Sequence, residues 1–247
     1  MKRILLSLTL SMTFGAVSAQ AGDLSSNSPG VYIGVTAIQG KLAVDNFTQY
    51  TARETVNKAA YPINNTLTHN TTHGGGLSVG YQDCDIRNSV LRSLQVKRIS
   101  YGLEVDKTTS NIQGNVDYMR NLATLHANYD SNALFATAKV NVFQMWHFSP
   151  YLEAGVGFMR QSLNNYQADY DTGAVTIPNA TNNGVAYQAG LGLDVLITQH
   201  IDASVGYRYI HAKPLVLSNQ TSVETLENSP SVNTDQSQWL ASLAYIF

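Results

Sequence analysis

The sequence is short of charge, cysteine and long apolar runs, and each shortage excludes a class of protein. Only 13% of its 247 residues are charged, which is about half the proportion found in ordinary soluble domains. The formal net charge is -2, so nothing indicates a nucleic-acid partner. Cys84 is the single cysteine, which excludes an internal disulfide. After residue 21 no apolar run approaches the roughly 20 residues of a membrane-spanning helix, so such a helix is not expected.

Sequence motifs for catalysis, cofactors and metals are also missing. There is no G-x-S-x-G, Walker or zinc-binding pattern, and His126 is not followed two positions later by serine. His69 and His73 have a spacing that suits a metal only on a helix, and none is predicted there. Cys84 stands beside Asp83 and another acid, which disfavours its thiolate. We therefore expect no catalytic residue, no cofactor and no metal, and an inert cysteine.

The N-terminal segment has the pattern of an export signal. Met1 is followed by Lys2 and Arg3, then by an apolar run over residues 4–17 and by small residues. The sequence predicts a secretory signal peptide over 1–21, cleaved after Ala19 or Ala21, and a mature domain over 22–247. An uncleaved membrane anchor is the alternative, and the short run followed by small residues argues against it.

The mature chain alternates between apolar and polar residues with the period of a β-strand. The clearest case places Ile99, Tyr101, Leu103 and Val105 on one face, with polar or small residues between them. Low charge and this alternation predict a β-barrel that faces lipid on one side and a polar lumen on the other. A secreted β-sandwich is the alternative. Eight such segments lie near 30–42, 77–81, 98–106, 133–145, 150–160, 184–197, 200–212 and 238–247.

The connections between these segments alternate in length, as in bacterial outer-membrane barrels with long extracellular loops and short periplasmic turns. The long polar ones are 43–73, 107–132, 161–183 and 213–235; the shorter ones are 84–95, 146–149 and 198–199. An even number of strands is required, and eight satisfies it. Residues 118–130 also alternate, so they predict either a β-extension above the membrane or, with another strand, a barrel of ten.

Aromatic residues mark the predicted membrane boundaries. The last predicted strand carries Trp239, Leu243, Tyr245 and Phe247 on one apolar face, a pattern typical of the strand that directs barrel assembly. Other aromatic residues near strand ends are predicted to form the two interfacial belts: Tyr32, Tyr81, Trp146, Phe148, Tyr151 and Tyr209.

The opposite face of the strands predicts a charged lumen. Mixed charges in a narrow interior are expected to pair, since an isolated buried charge is very costly. Such pairing indicates a structural plug, whereas glycines on the same face leave room for a narrow solute path. The inward charged residues are Arg98, Glu104, Lys139, Glu153, Asp194, Asp202 and Arg208.

Short stretches of the sequence resemble the small outer-membrane β-barrel superfamily, which includes opacity-protein-like and outer-membrane-protein-A-like barrels. The resemblance rests on segments 32–35, 74–81, 101–105, 149–157 and 203–209. It implies an all-β, antiparallel, up-and-down transmembrane barrel in the outer membrane of a Gram-negative bacterium. No periplasmic cell-wall-binding domain is expected to follow it, so a tethering role is not implied.

The expected function is non-enzymatic: envelope structure and surface display, with loops available for adhesion. A narrow porin-like channel is the first alternative and a barrel hydrolase acting through His126 is the second. The expected partners are outer-membrane lipid and lipopolysaccharide, the barrel-assembly machinery through the C-terminal strand, and a host or surface ligand through the loops.

Overall fold

Strands make up nearly all of the part of the chain that the structure describes. This structure is a computed structural model, and it describes residues 29–45, 64–84, 91, 95–118, 121–170, 173–177, 179–216 and 231–247. The predicted signal peptide 1–21 lies outside the described residues, as do 46–63 and 217–230 in the first and last long connections. Within the described residues, no helix is long and apolar enough to cross a membrane.

The described residues form eleven strands, and every pairing between these strands is antiparallel. Their bounds in chain order are β1 Gly30–Asp45, β2 Asn64–His69, β3 Thr71–Asp83, β4 Arg98–Tyr118, β5 Asn121–Asn141, β6 Phe148–Tyr170, β7 Gly173–Ile177, β8 Ala180–Leu196, β9 Ile201–Ala212, β10 Leu215–Val216 and β11 Ser231–Ile246.

Eight of these strands form the wall of a closed barrel. They follow the order β1-β3-β4-β5-β6-β8-β9-β11, and β11 pairs back with β1 to close the ring. The short strands β2, β7 and β10 pair with β4, β6 and β11 outside that ring. The eight predicted segments are therefore confirmed as the eight walls, and the ten-strand alternative is wrong.

The alternation predicted from the sequence sets the two faces of the wall. On β4, Tyr101, Leu103 and Val105 are more than half exposed on the outside, whereas Arg98, Glu104 and their inward neighbours are buried. Period two places each set on its own side of the sheet. The outward apolar band thus faces lipid and the lumen holds the polar core.

Three of the walls are much longer than a membrane requires. β4 and β5 have 21 residues each and β6 has 23, against about 9–11 for a tilted transmembrane strand. Continuous register joins Arg98 to Asn141 at one end and Tyr118 to Asn121 at the other. The surplus lies at the end of the barrel away from the short turns, which is the extracellular end.

These extensions correct the boundaries assigned from sequence. Residues 107–118 and 121–132 were expected to lie in a loop, but they continue β4 and β5. Within the predicted β-extension 118–130, Tyr118 ends β4, residues 121–130 belong to β5, and 119–120 lie outside the described residues. Likewise, much of 161–183 belongs to β6, β7 and β8. Backbone pairing explains the difference, because a paired ladder satisfies every N–H and C=O even where both faces are polar.

Candidate functional site

The lumen holds two arginine-centred clusters, and the first lies near the periplasmic end. Arg98 on β4 is 3% exposed and forms ion pairs with Asp194 on β8 and, at 2.6 Å, with Asp202 on β9. Lys139 on β5 reaches Asp194 at 3.0 Å. The Asn141 amide donates to the same aspartate at 2.8 Å. This cluster ties four walls together across the lumen.

The second cluster lies farther toward the extracellular end. Arg208 on β9 is 1% exposed, and its guanidinium contacts Glu104 at 2.9 Å and Asp106 at 2.6 Å on β4. Its Nε donates to Gln238 at 2.8 Å. Gln188 accepts from Arg208 at 3.2 Å and donates to Glu153 at 2.9 Å. The fork of the guanidinium suits two carboxylates held on one strand.

All seven residues that the sequence assigned to the lumen lie inside the barrel, and the structure brings them into these two clusters. Asp106 is an eighth charged residue in the lumen; it lies two positions after Glu104 on β4 and therefore on the same inward face. Within the described residues, three cations thus face five carboxylates. Glu153 has no cationic partner within 4 Å there, and its carboxylate is held by the Gln188 amide.

Hydroxyl and amide side chains continue the network above Arg208. Thr108 and Ser131 share a hydrogen bond of 2.6 Å, and Gln238 donates to Gln236 at 2.6 Å. Gln236 in turn donates to the Tyr129 hydroxyl at 3.0 Å. These neutral groups replace charges where the lumen passes into the strand extensions.

An apolar layer also fills the lumen at this level, which the sequence analysis did not anticipate. It is centred on Phe135, which is completely buried, with Met159 beside it at 3% exposed. The complete layer comprises Ala133, Phe135, Met159, Ala186, Ile210 and Ala212. The alternation along each strand assigns these residues to the inward face, but the lumen was predicted to be polar, so an apolar layer was not predicted there.

Two aromatic residues lie inside the barrel and correct the predicted interfacial belts. Tyr151 is 4% exposed and its hydroxyl lies over Gly192 and Gly206, which face each other on β8 and β9. Tyr32 lies in the same way over Gly80 and Gly102, paired on β3 and β4.

These two tyrosines also change the interpretation of the inward glycines. A Cβ built on Gly192 would lie 2.6 Å from the Tyr151 hydroxyl, and one on Gly80 would lie 2.7 Å from that of Tyr32. The glycine pairs therefore accommodate phenol rings, and the space they leave near the wall is filled by side chains. Other predicted belt residues, such as Tyr81 and Trp239, do face outward.

A cavity of about 90 Å³ remains in the periplasmic half of the lumen, enough for a few water molecules. Tyr32, Tyr151, Lys139, Glu153 and Asp202 contribute to its lining. Toward the extracellular end, the Arg208 cluster and the apolar layer occupy the lumen above it.

Histidine and cysteine side chains do not converge on a shared centre in the described part of the chain. His126 lies on the β5 extension and His147 in a periplasmic turn. The His200 Nδ1–H donates a hydrogen bond to the Ile246 carbonyl at 2.9 Å, whereas the His211 Nδ1 contacts the Asp235 carboxylate at 2.8 Å. No group of three or more metal-binding side chains occurs among the described residues.

Cys84 follows β3 at the periplasmic rim, beyond the membrane-spanning segment. Burial raises the pKa of its thiol above the ordinary value, and the nearby Asp83 carboxylate raises it further. Burial is thus a larger cause than the acidic neighbours that the sequence analysis named.

The residues assigned to the assembly signal lie on the outer face of β11 and at Phe247, which directly follows it. Trp239, Leu243, Tyr245 and Phe247 are between 48% and 65% exposed, and the Tyr245 and Phe247 rings meet edge to face with centroids 5.0 Å apart. The Phe247 backbone N–H donates to the Val31 carbonyl at 2.9 Å, which fixes this segment against β1.

A family model described as "Outer membrane protein beta-barrel domain" matches residues 7–247. The chain belongs to this outer-membrane β-barrel family. Its location is therefore the bacterial outer membrane, and its outward apolar band lies in the lipid of that membrane.

Comparison with individual proteins gives more distant likenesses. Outer membrane protein PagN of Salmonella typhimurium is 28% identical over 152 residues, and the match spans 59% of each chain. The crystal structure of OprG from Pseudomonas aeruginosa is 12% identical with a TM-score of 0.47, covering 88% of this chain and 96% of that one. Ail of Yersinia pestis, solved with the heparin analogue sucrose octasulfate, is 10% identical with a TM-score of 0.42, covering 89% and 99%.

Proposed function

We propose that this barrel is a non-enzymatic surface-display protein whose extracellular extensions and connections bind a host or surface ligand. The observation that supports the proposal is that ion pairs fill the lumen, while the walls β4, β5 and β6 continue to about twice the length of a membrane span. A filled lumen provides no wide path for solutes. Tall strands raise the connections clear of the membrane, where loops commonly carry binding.

The filling of the lumen supports a structural plug. Arg98 and Arg208 are each fully engaged by two carboxylates from other walls. Removing Arg208 would leave Glu104 and Asp106 without a cation, which is strongly unfavourable for buried carboxylates. Removing Arg98 would do the same to Asp202, whereas Asp194 would keep its ion pair with Lys139. Side chains of this kind fix the relative positions of the walls and do not exchange readily with a passing solute.

A narrow channel remains the second candidate because of the cavity of about 90 Å³ at the periplasmic half. The refolded protein in planar bilayers separates the two. A plug predicts a heat-modifiable gel shift with no reproducible conductance. Steady conductance that changes when Lys139 or Glu153 is replaced by glutamine would favour the channel instead.

Surface binding is tested by replacing residues 46–63 or 217–230 with Gly/Ser segments of equal length and measuring bacterial adhesion to cultured cells. The same replacement of residues 85–94, in the periplasmic connection, is the matched control. The proposal expects lost adhesion only for the extracellular replacements, with the gel shift retained in all three. Unchanged adhesion in every variant would contradict it.

Export and assembly complete the proposal. Residues 1–21 act as a signal removed after Ala19 or Ala21, leaving the mature barrel over 22–247, and the outward face of β11 is recognised by the barrel-assembly machinery. N-terminal sequencing of protein from outer-membrane fractions identifies the cleavage site. Replacing Phe247 and Tyr245 with serine is expected to lower the amount of assembled barrel.

A further inference from the structure

A row of cationic and amide side chains crosses four walls on the outer face. Lys107 on β4 pairs in register with Asn132 on β5, Asn132 pairs with Arg160 on β6, and Arg160 pairs with Asn183 on β8. All four side chains are exposed. The two cations flank one amide, and their Cα atoms are separated by two strand spacings, or roughly 10 Å.

This row lies directly above the apolar band. Two residues below each member, the outward positions on the same four walls are Val105, Leu134, Phe158 and Val185, which are 42–70% exposed. These four residues are likewise paired with one another in register. Lys107 and Arg160 are therefore the first charged groups on the outside of their strands as each leaves the lipid on the extracellular side.

The charges around the row favour an anion. Within the described residues, neither Lys107 nor Arg160 forms an ion pair. The nearest outward acid is Asp130, one step farther from the membrane on β5, and the Asn164 amide donates to its carboxylate at 3.4 Å. At the level of the lipid headgroups, the row thus has two cations and two amides, and the one nearby carboxylate already accepts a hydrogen bond from Asn164.

We propose that Lys107, Asn132, Arg160 and Asn183 form a binding site for the phosphate groups of a lipid in the outer leaflet. The Arg160 guanidinium donates two parallel hydrogen bonds to the phosphate oxygens, and the Lys107 ammonium attracts the same phosphate as a point charge. The Asn132 amide between them donates a further hydrogen bond. The apolar row below contacts the acyl chains of the same lipid.

The position explains why a lipid phosphate fits better than a free one. Acyl chains are already held against Phe158 and Val185 by the hydrophobic effect, so the headgroup is confined beside the cations. Lysine and arginine can also extend along the wall to reach the headgroup level. Each cation near a charged lipid surface contributes an affinity gain of about fivefold.

The test is a titration of the refolded protein in maltoside micelles, which contain no phosphate, with lipid A carrying two phosphates. The same lipid A stripped of both phosphates is the comparison ligand. We expect the phosphorylated lipid to bind at least about fivefold more tightly, and Lys107→Gln or Arg160→Gln to remove about fivefold each. Asn132→Asp, which places an acid between the two cations, is expected to weaken binding at least as much.

Lys97→Gln is the matched control, because Lys97 is an exposed cation that directly precedes β4 at its periplasmic end. A heat-modifiable gel shift verifies that every variant is folded. Equal affinity for the two lipids, or an equal loss in Lys97→Gln, would overturn the proposal. Displacement of lipid A by an equal concentration of inorganic phosphate would overturn the lipid as the occupant and leave a site for free phosphate.

Discussion

Arg208 holds two carboxylates of one strand in the middle of the lumen, so its removal has a clear expected cost. In Arg208→Met, Glu104 and Asp106 lose the cation that both contact. We expect the free energy of unfolding to fall by about 3–5 kcal/mol, measured by urea unfolding in lipid vesicles. Adding Glu104→Gln and Asp106→Asn to the same chain should restore part of that loss, and a triple variant as unstable as the single one would contradict the pairing.

The Tyr151 hydroxyl lies so close to Gly206 that a larger residue at this position is expected to destabilise the barrel. A methyl group at Gly206 would meet the Tyr151 hydroxyl and, at 3.1 Å, the Leu191 carbonyl. Gly206→Ala is therefore expected to destabilise the barrel by about 1–3 kcal/mol. In a Tyr151→Phe background, which lacks the hydroxyl, the penalty should be smaller. Equal penalties in both backgrounds would show that the contact with the hydroxyl is unimportant.

The Cys84 thiol provides a pH-dependent measurement outside the membrane. Its pKa is raised, so the reactive thiolate forms only at higher pH than in an ordinary thiol. Alkylation by iodoacetamide should therefore be slower than in the unfolded chain at pH 8, and should reach half its maximal rate at a higher pH. A folded protein that reacts as fast as the unfolded chain at pH 8 would contradict this expectation.

The β4–β5 hairpin continues well beyond what a membrane span requires, with 21 residues in each strand. Thr109 pairs with Asp130, so deleting 109–130 and joining Thr108 to Ser131 through Asn-Gly preserves the register of the wall below. We expect the shortened protein to keep its gel shift and to lose adhesion if the hairpin carries the ligand site. A protein that no longer folds would show that the extension helps to build the barrel.

The walls themselves were predictable from sequence because a period of two survives wherever one face meets lipid. β4 illustrates the limit of the method. Its lower half alternates sharply through Tyr101 and Leu103, but above Lys107 both faces are polar and the contrast that reveals a strand disappears. Apolar residues at inward positions are sparse there, as at Ile112, which is 3% exposed.

The site was predictable to a similar degree. Parity placed Arg98, Glu104 and Arg208 inside, but it could not determine which carboxylate each arginine would contact, because that depends on register across several walls. Tyr151 was misassigned for a different reason. An aromatic residue near a strand end suits the interface equally well, and the glycine pair that receives its ring lies some 40 and 55 positions away in the chain, a separation that only the fold brings together.

For the whole molecule, the closed ring and filled lumen lead to one electrical prediction. A barrel plugged at Arg208 and Phe135 should not conduct in planar bilayers, because both side chains are buried inside the lumen and fill space that a solute path would need. Replacing Arg208, Phe135 and Tyr151 together with alanine should produce measurable conductance if that variant folds. Conductance in the unmodified protein would instead support a channel.

The pairing of β11 with β1 has a kinetic consequence. These two walls are nearly the whole chain apart in sequence, yet 14 register pairs join them. Until β11 arrives, β1 and β9 each present an unsatisfied edge, so the barrel can close only after the rest of its wall has been delivered. Such distant partners make folding slow and leave the waiting edges open to mispairing, so we expect the yield of closed barrel from the exported chain to rise when those edges are covered until β11 is delivered.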